Sequence, residues 1–448
     1  MGYLTPEKLY FSAFAGPATI TVGDSYVNFG RGLALNLVRN AQIDIDSSVR
    51  GAQVVVSPGM WDLQIVSGVV NQVQVQMVNP NRDLRANRNH LVNGARVTRY
   101  GLGPLTVSAH GVAYSFAETL DDPNWQGGVK RYGEIGAPDA IVGGAGVEGY
   151  TGPVDWYVEG NWFQYREDQL LPHGQEPAYA VYGSMSFYPG PLSVLVEGKR
   201  YRNTERMNVH TAPERYEIVS GPTLEYERVI TEDSSSAVNS NDIYGGLMRV
   251  DWAAVPGRVT PYASVLVQRD NDLENHFNRS PETIVHPMLG LDLQGDVVNL
   301  WTNLGYRRDI RDSHGADQLF HADAALGVPL PGQWHADATW DIWHYKWGEN
   351  QNQQHDFTTS TLAVAAHWHP QGLAFIVYND FTNDPLIDSK GNIADSVYLA
   401  GEVQWNATER TQVKAFYGAY RAGIRCAGGQ CRMMPGFDGG RVTVLHTF

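Results

Sequence analysis

Residues 439–448, GGRVTVLHTF, alternate strictly along an extended chain. Val442, Val444, His446 and Phe448 fall on one face, and Arg441, Thr443, Leu445 and Thr447 on the other, because the side chains of a strand alternate with period two. One face is largely apolar and the other mixes charge, hydroxyls and a single leucine. A strand of this kind divides two different surroundings.

The same division recurs along the chain. In VDWYVEGNW, Val154, Trp156, Val158 and Trp162 face one way, and Asp155, Tyr157, Glu159 and Asn161 the other. Leu192, Val194 and Val196 stand against Ser193, Glu197 and Lys199, as do Val397, Leu399, Val403 and Trp405 against Tyr398, Glu402 and Gln404. A water-soluble sandwich alternates too, with core and bulk water on its faces. The connections separate the two cases. Tight turns with Pro or Gly stand at Ser57-Pro58-Gly59, Leu102-Gly103-Pro104, Tyr188-Pro189-Gly190-Pro191, Ser220-Gly221-Pro222, Pro256-Gly257, Gly295-Asp296, Pro331-Gly332 and Gln371-Gly372. Between them lie long polar segments at 117–139, 204–215, 270–283, 310–317, 348–356, 381–394 and 423–437. Short turns on one rim and long loops on the other are the pattern of an outer-membrane β-barrel, with the short turns periplasmic and the loops outside the cell. The closing strand, ending on Phe448, resembles the insertion signal of Gram-negative outer-membrane barrels.

Composition agrees with that reading. The 448 residues include 47 Gly, 23 Tyr and 12 Trp, and only 18% are charged. No stretch approaches the ~18 consecutive apolar residues of a membrane-spanning helix. The mean hydropathy of −0.31 fits strands whose lipid-facing and lumen-facing residues average out. A formal net charge of −15 argues against a nucleic-acid partner, which requires a basic surface. From Ser48 onward the alternation predicts roughly 21 strands, and TITVGDSYV near the amino terminus supplies one more, since such barrels are normally even. The fold class is therefore all-β: a single antiparallel transmembrane barrel domain of about 22 strands (20–24).

Residues 1–47 are expected to be part strand and part lumenal constriction. In VGDSYVNFGRGLALNLVRNAQIDIDSSVRGAQV, Gly30-Arg31-Gly32 breaks the barrel rhythm and allows a sharp backbone. Two readings stand: a constriction or plug segment in the lumen, or a strand pair with a bulge. Arg31 and Arg39 have Asp24, Asp44 and Asp46 as pairing partners nearby in sequence.

This block, with Gly23-Asp24, Phe29-Gly30-Arg31-Gly32-Leu33 and Ile43-Asp44, and the closing segment with Cys426, Cys431 and Pro435-Gly436-Phe437, resembles a family of predicted outer-membrane β-barrels known only as a domain of unknown function. Ser25 stands where that family has an aromatic residue. The resemblance implies the fold and the outer membrane of a Gram-negative bacterium. It brings no catalytic or ligand residues.

Several groups bear on function. The lumen face mixes Glu197, Lys199, Arg249, Asp251, Asp292, Arg307, Asp323, Asp337, Asp341, Glu402 and Lys414, and with Arg31 these are the pore-lining candidates. The plainer reading is a salt-bridged interior that fills the barrel. Trp156, Trp162, Trp334, Trp340 and Trp405 near strand ends read as interfacial anchors. Cys426 and Cys431 are spaced for a local disulfide, against two free thiols. If 348–356 is a hairpin loop, His335 falls roughly opposite His369 and Asp337 opposite His367, a set that suits zinc, copper or nickel, with solvated lumen histidines as the plainer reading. Neither a Gly-x-Ser-x-Gly elbow nor a His-Glu-x-x-His pair is present, so no enzyme and no cofactor are expected. The function expected is a monomeric pore or uptake channel for small hydrophilic solutes or ions, in contact with lipid and lipopolysaccharide. The alternative is a barrel that sheathes a periplasmic electron carrier or a surface lipoprotein.

Overall fold

The structure is a computed structural model. It describes residues 9–40, 45–72, 91–115, 138–165, 177–204, 242–271, 281–311, 315–347, 355–369, 372–383, 397–421, 423–427, 430–434 and 436–446. Five strands come first: β1 (Tyr10–Ala15), β2 (Ala18–Ser25), β3 (Val27–Phe29), β4 (Leu35–Leu37) and β5 (Arg39–Asn40). The wall continues with β6 (Ile45–Val56), β7 (Trp61–Gln72), β8 (Leu91–Leu102), β9 (Leu105–Ser115), β10 (Ala140–Thr151), β11 (Val154–Tyr165), β12 (Ala178–Phe187), β13 (Leu192–Arg202) and β14 (Asp242–Trp252). It is completed by β15 (Val259–Asp270), β16 (Glu282–Gln294), β17 (Asn299–Arg311), β18 (Gly315–Leu330), β19 (Trp334–Trp347), β20 (His355–Trp368), β21 (Leu373–Thr382), β22 (Val397–Thr408) and β23 (Thr411–Tyr420). The short strands β24 (Gly423–Ala427) and β25 (Gln430–Met434) pair with each other, and β26 (Phe437–His446) returns to the wall.

Twenty-two of these strands form one antiparallel sheet, as expected for a large outer-membrane barrel. Each wall strand pairs with the next in sequence, from β1–β2 and β2–β6 through to β23–β26. Among the described residues no helix is long and apolar enough to cross a membrane. TITVGDSYV contributes β2 as expected, and β1 precedes it. The turn read at Ser220-Gly221-Pro222 lies outside the described residues; β13 pairs directly with β14, so no wall strand separates them. Among the described residues β1 and β26 share no ladder.

The alternation decides which face is which. Outward positions leave Val158, Leu289, Leu304, Val377 and Val444 exposed on the sheet, whereas the opposite face of the same strands is buried or polar. So much exposed aliphatic surface requires an apolar surrounding. Trp61, Tyr100, Tyr150, Tyr188, Trp252 and Trp405 are all exposed and all lie beside the short turns, which is an aromatic girdle on that rim. Trp334 and Trp368 stack on the same rim with ring centroids 6.0 Å apart.

Candidate functional site

The chain leaves the wall after Ser25, opposite Val49, and regains it at Arg39, opposite Asp46. Between these anchors residues 26–38 fold into the barrel. β3 and β4 pair as a miniature hairpin, with Val27 opposite Leu37 and Phe29 opposite Leu35, and Asn28 Nδ2 donates to Asn36 Oδ1 at 3.0 Å. Its tip is Gly30-Arg31-Gly32, three consecutive residues with φ of 61°, 46° and 94°. Only glycine adopts that region freely, and at Gly30 a Cβ would also lie 2.1 Å from Glu159 Oε1. Arg31 sits there at a cost of about 1–2 kcal/mol.

Apolar burial holds the hairpin. Val27, Phe29, Leu33, Leu35 and Leu37 are almost wholly buried, in one cluster with Val66, Val92, Val112, Tyr114 and Val142 from the inner face of β7–β10. The Tyr114 hydroxyl donates to the Ala34 carbonyl, and Arg96 Nη1 donates to the Asn28 carbonyl at 3.4 Å. At the anchor, Asp24 accepts from Arg50 Nη2 at 3.0 Å, the Ser48 hydroxyl at 3.2 Å and the Leu9 amide at 2.9 Å.

Arg31 is exposed, and its guanidinium carbon lies 3.7 Å from the Tyr157 ring centroid and 5.9 Å from that of Tyr182. Those tyrosine hydroxyls donate to Glu159 and Glu197. Asn161 Nδ2 donates to Glu159 Oε1 at 2.5 Å and its Oδ1 lies 2.6 Å from His110 Nε2, which must therefore carry the proton. The result is a ledge of two aromatic rings over two carboxylates, with a solvent-facing cation resting on the rings.

The other pore-lining candidates are scattered around the wall. Lys199 is buried 5.4 Å from the Tyr201 ring centroid, and Arg249 forks onto Asp251 at 2.9 and 3.0 Å over Tyr262. Arg307 is fully buried against Asp309 at 2.7 Å. Asp292 and Glu402 accept from Gln294 and Gln404 at 2.6 and 2.5 Å, and Lys414 stands opposite Gln404. Asp341 is buried opposite Asp323.

The β19–β20 register differs from expectation by two residues: His335 faces His367, and Asp337 faces Ala365. An even slip keeps the same face toward the lumen, so the side chains still meet. They meet as hydrogen-bonded partners, with His335 Nε2 and His367 Nε2 at 2.8 and 3.0 Å from the two oxygens of Asp337, and the His369 ring 6.3 Å from that of His335. Among the described residues no three His, Cys, Asp or Glu side chains converge as metal ligands. The backbone places Cys426 opposite Cys431 in the β24–β25 ladder, and their side chains lie outside the described residues.

Two constellations were beyond sequence reasoning. One is the His110–Asn161–Glu159 chain under the hairpin tip. The other joins His286, His321, Asp323 and Trp343 across β16–β19. Their only sequence signal is strand parity, which many residues share.

No known family model and no curated protein matches the chain. Among solved structures it is similar to the copper transporter OprC, at 10% identity and a TM-score of 0.49 over 96% of this chain and 75% of that one. It is similar also to the siderophore receptor PirA from Acinetobacter baumannii, at 8% identity and a TM-score of 0.46 over 99% and 74% of the two chains. An anion-selective porin from Comamonas acidovorans matches at 11% identity and a TM-score of 0.37 over 90% and 97%. At such identities nothing about cargo passes from these proteins to this chain.

Proposed function

We propose that this chain is an outer-membrane pore of a Gram-negative bacterium. It admits small hydrophilic solutes or ions through a passage that the inward hairpin narrows, and it carries out no catalysis. The observation that carries the proposal is that the hairpin packs on one stretch of the inner wall and leaves other lumen-facing residues open to solvent. Beside the hairpin, the inner-face residues Val70, Val92, Tyr114 and Val142 are completely buried. Across the barrel, His367 and Asp337 keep 35% and 40% of their side-chain surface open to solvent. A segment that packs on one wall while these residues near the short-turn rim of β19 and β20 stay wet forms a constriction rather than a full plug. Arg31 then stands at the margin of the wet part and sets its local field.

Planar-bilayer recording tests this. The wild-type chain gives stable open steps, and Arg31→Ala shifts the reversal potential under a salt gradient toward cation preference. Absence of any open step would favour a barrel closed around a partner. An unchanged reversal potential in Arg31→Ala would remove the hairpin tip from the conduction path.

A further inference from the structure

Between β16 and β18 the inner wall holds a patch that the pore does not use. His286 and His321 are both completely buried, and their Nε2 atoms lie 2.9 Å apart. On the far side of its ring, His321 Nδ1 lies 2.6 Å from Asp323 Oδ2, and the other oxygen of Asp323 accepts from the Trp343 indole at 3.2 Å. In the neutral tautomer that keeps its proton on the Asp323 side, the Nε2 lone pair of His321 points at His286. This is the arrangement by which an outer carboxylate orients a metal-ligating imidazole.

Gly305 makes the space. It lies opposite Met288 on β16 and opposite His321 on β18, and a Cβ there would sit 1.9 Å from His321 Nε2. Met288 is the next inward residue after His286 on β16, and it stands opposite Gly305. Asn303, the next inward residue before Gly305 on β17, donates its Nδ2 to Met288 Sδ at 3.7 Å, and its Oδ1 is buried without a hydrogen-bond partner. The β16–β17 pairing skips His286 and Pro287 while keeping its register, since Pro287 has no N–H to give.

We propose that His286 and His321 bind a copper ion through their Nε2 atoms, with Met288 as the soft third donor. Two imidazole nitrogens on one tetrahedral metal stand about 3.3 Å apart, so the pair need open by only ~0.4 Å. Imidazoles joined by a thioether favour copper over the hard cations and over zinc. The site is separate from Arg31 and from the Asp337 triad, and it stands or falls independently of conductance.

The test uses the full chain in detergent, given Cu²⁺ alone or with ascorbate as Cu⁺, desalted and assayed for retained copper. The expected result is one copper per chain, with nitrogen splitting from two imidazoles in the Cu²⁺ paramagnetic resonance spectrum. His286→Gln and His321→Gln each weaken binding at least tenfold, Gly305→Ala matches His321→Gln, and Asp323→Asn weakens it about 10–100-fold. His335→Gln with His367→Gln changes nothing. No copper on the wild-type chain would overturn the proposal, as would full retention by a His286→Gln/His321→Gln chain that still migrates as a folded barrel. If that double variant does not fold, Met288→Leu and Asp323→Asn decide the matter, and unchanged affinity in both overturns it.

Discussion

Phe29→Ala combined with Leu35→Ala should detach the inward hairpin and leave the barrel standing. Both side chains are completely buried, and they face each other across the β3–β4 pair. Truncating a buried Phe costs about 3–5 kcal/mol and a buried Leu about 2–5, so the pair loses roughly 5–10. The five buried apolar side chains of the hairpin contribute a gross ~8–15 kcal/mol at about 1.5–3 each, so most of what holds it inside disappears. The wall has its own ladders from β6 to β26 and does not depend on the hairpin for backbone pairing. Hydrogen–deuterium exchange read by mass spectrometry should show residues 27–37 exchanging at least ~10³-fold faster, since every 1.4 kcal/mol is a factor of ten. Peptides from β10 and β17 should keep their protection, and the protein should keep its heat-modifiable migration in detergent gels. Unchanged exchange at 27–37 in the folded variant would refute the packing argument. Uniform loss of protection across the wall would show that the hairpin and barrel form one cooperative unit.

Three further outcomes are expected. Asp24→Ala leaves the Ser48 hydroxyl and the Leu9 amide without their acceptor, at about 1–3 kcal/mol for each donor stranded from water; the urea midpoint falls and the Leu9 amide exchanges faster. Leu304, 53% exposed on the outward face at mid-strand, becomes costly as Arg: Leu304→Arg lowers stability in lipid vesicles by about 2–4 kcal/mol. The same substitution with no loss of stability in lipid would place that face in water. Cys426 and Cys431, opposite each other on the backbone, are proposed to form a disulfide; iodoacetamide should add two labels only after reduction, and two labels on the unreduced protein would refute it.

Much of the wall was legible because strand parity is local. VDWYVEGNW divides in the structure as it reads, with Glu159 and Asn161 buried inside and Val158 and Trp162 exposed outside. The expected total of about 22 strands agrees with the sheet. The β19–β20 register was missed by two residues because a hairpin's register depends on loop conformation, and alternation is blind to an even slip.

By itself the amino-acid sequence determined the solvents: a period of two sustained over the chain, short turns against long loops, and aromatic residues beside the turns admit a wall between lipid and water. It also marked Gly30-Arg31-Gly32 as a break, because only glycine tolerates such backbone cheaply. Where that break leads was decided by the tertiary structure. The hairpin could enter the lumen only because Val66, Val92, Val112 and Val142, from four separate strands, form an apolar inner surface that no neighbouring residues reveal. The same holds for His286 and His321, 35 residues apart in sequence, which meet only because β17 offers Gly305 between them. Parity is a property of adjacent residues, whereas a site is a coincidence of strands, and their pairing side by side is what creates it.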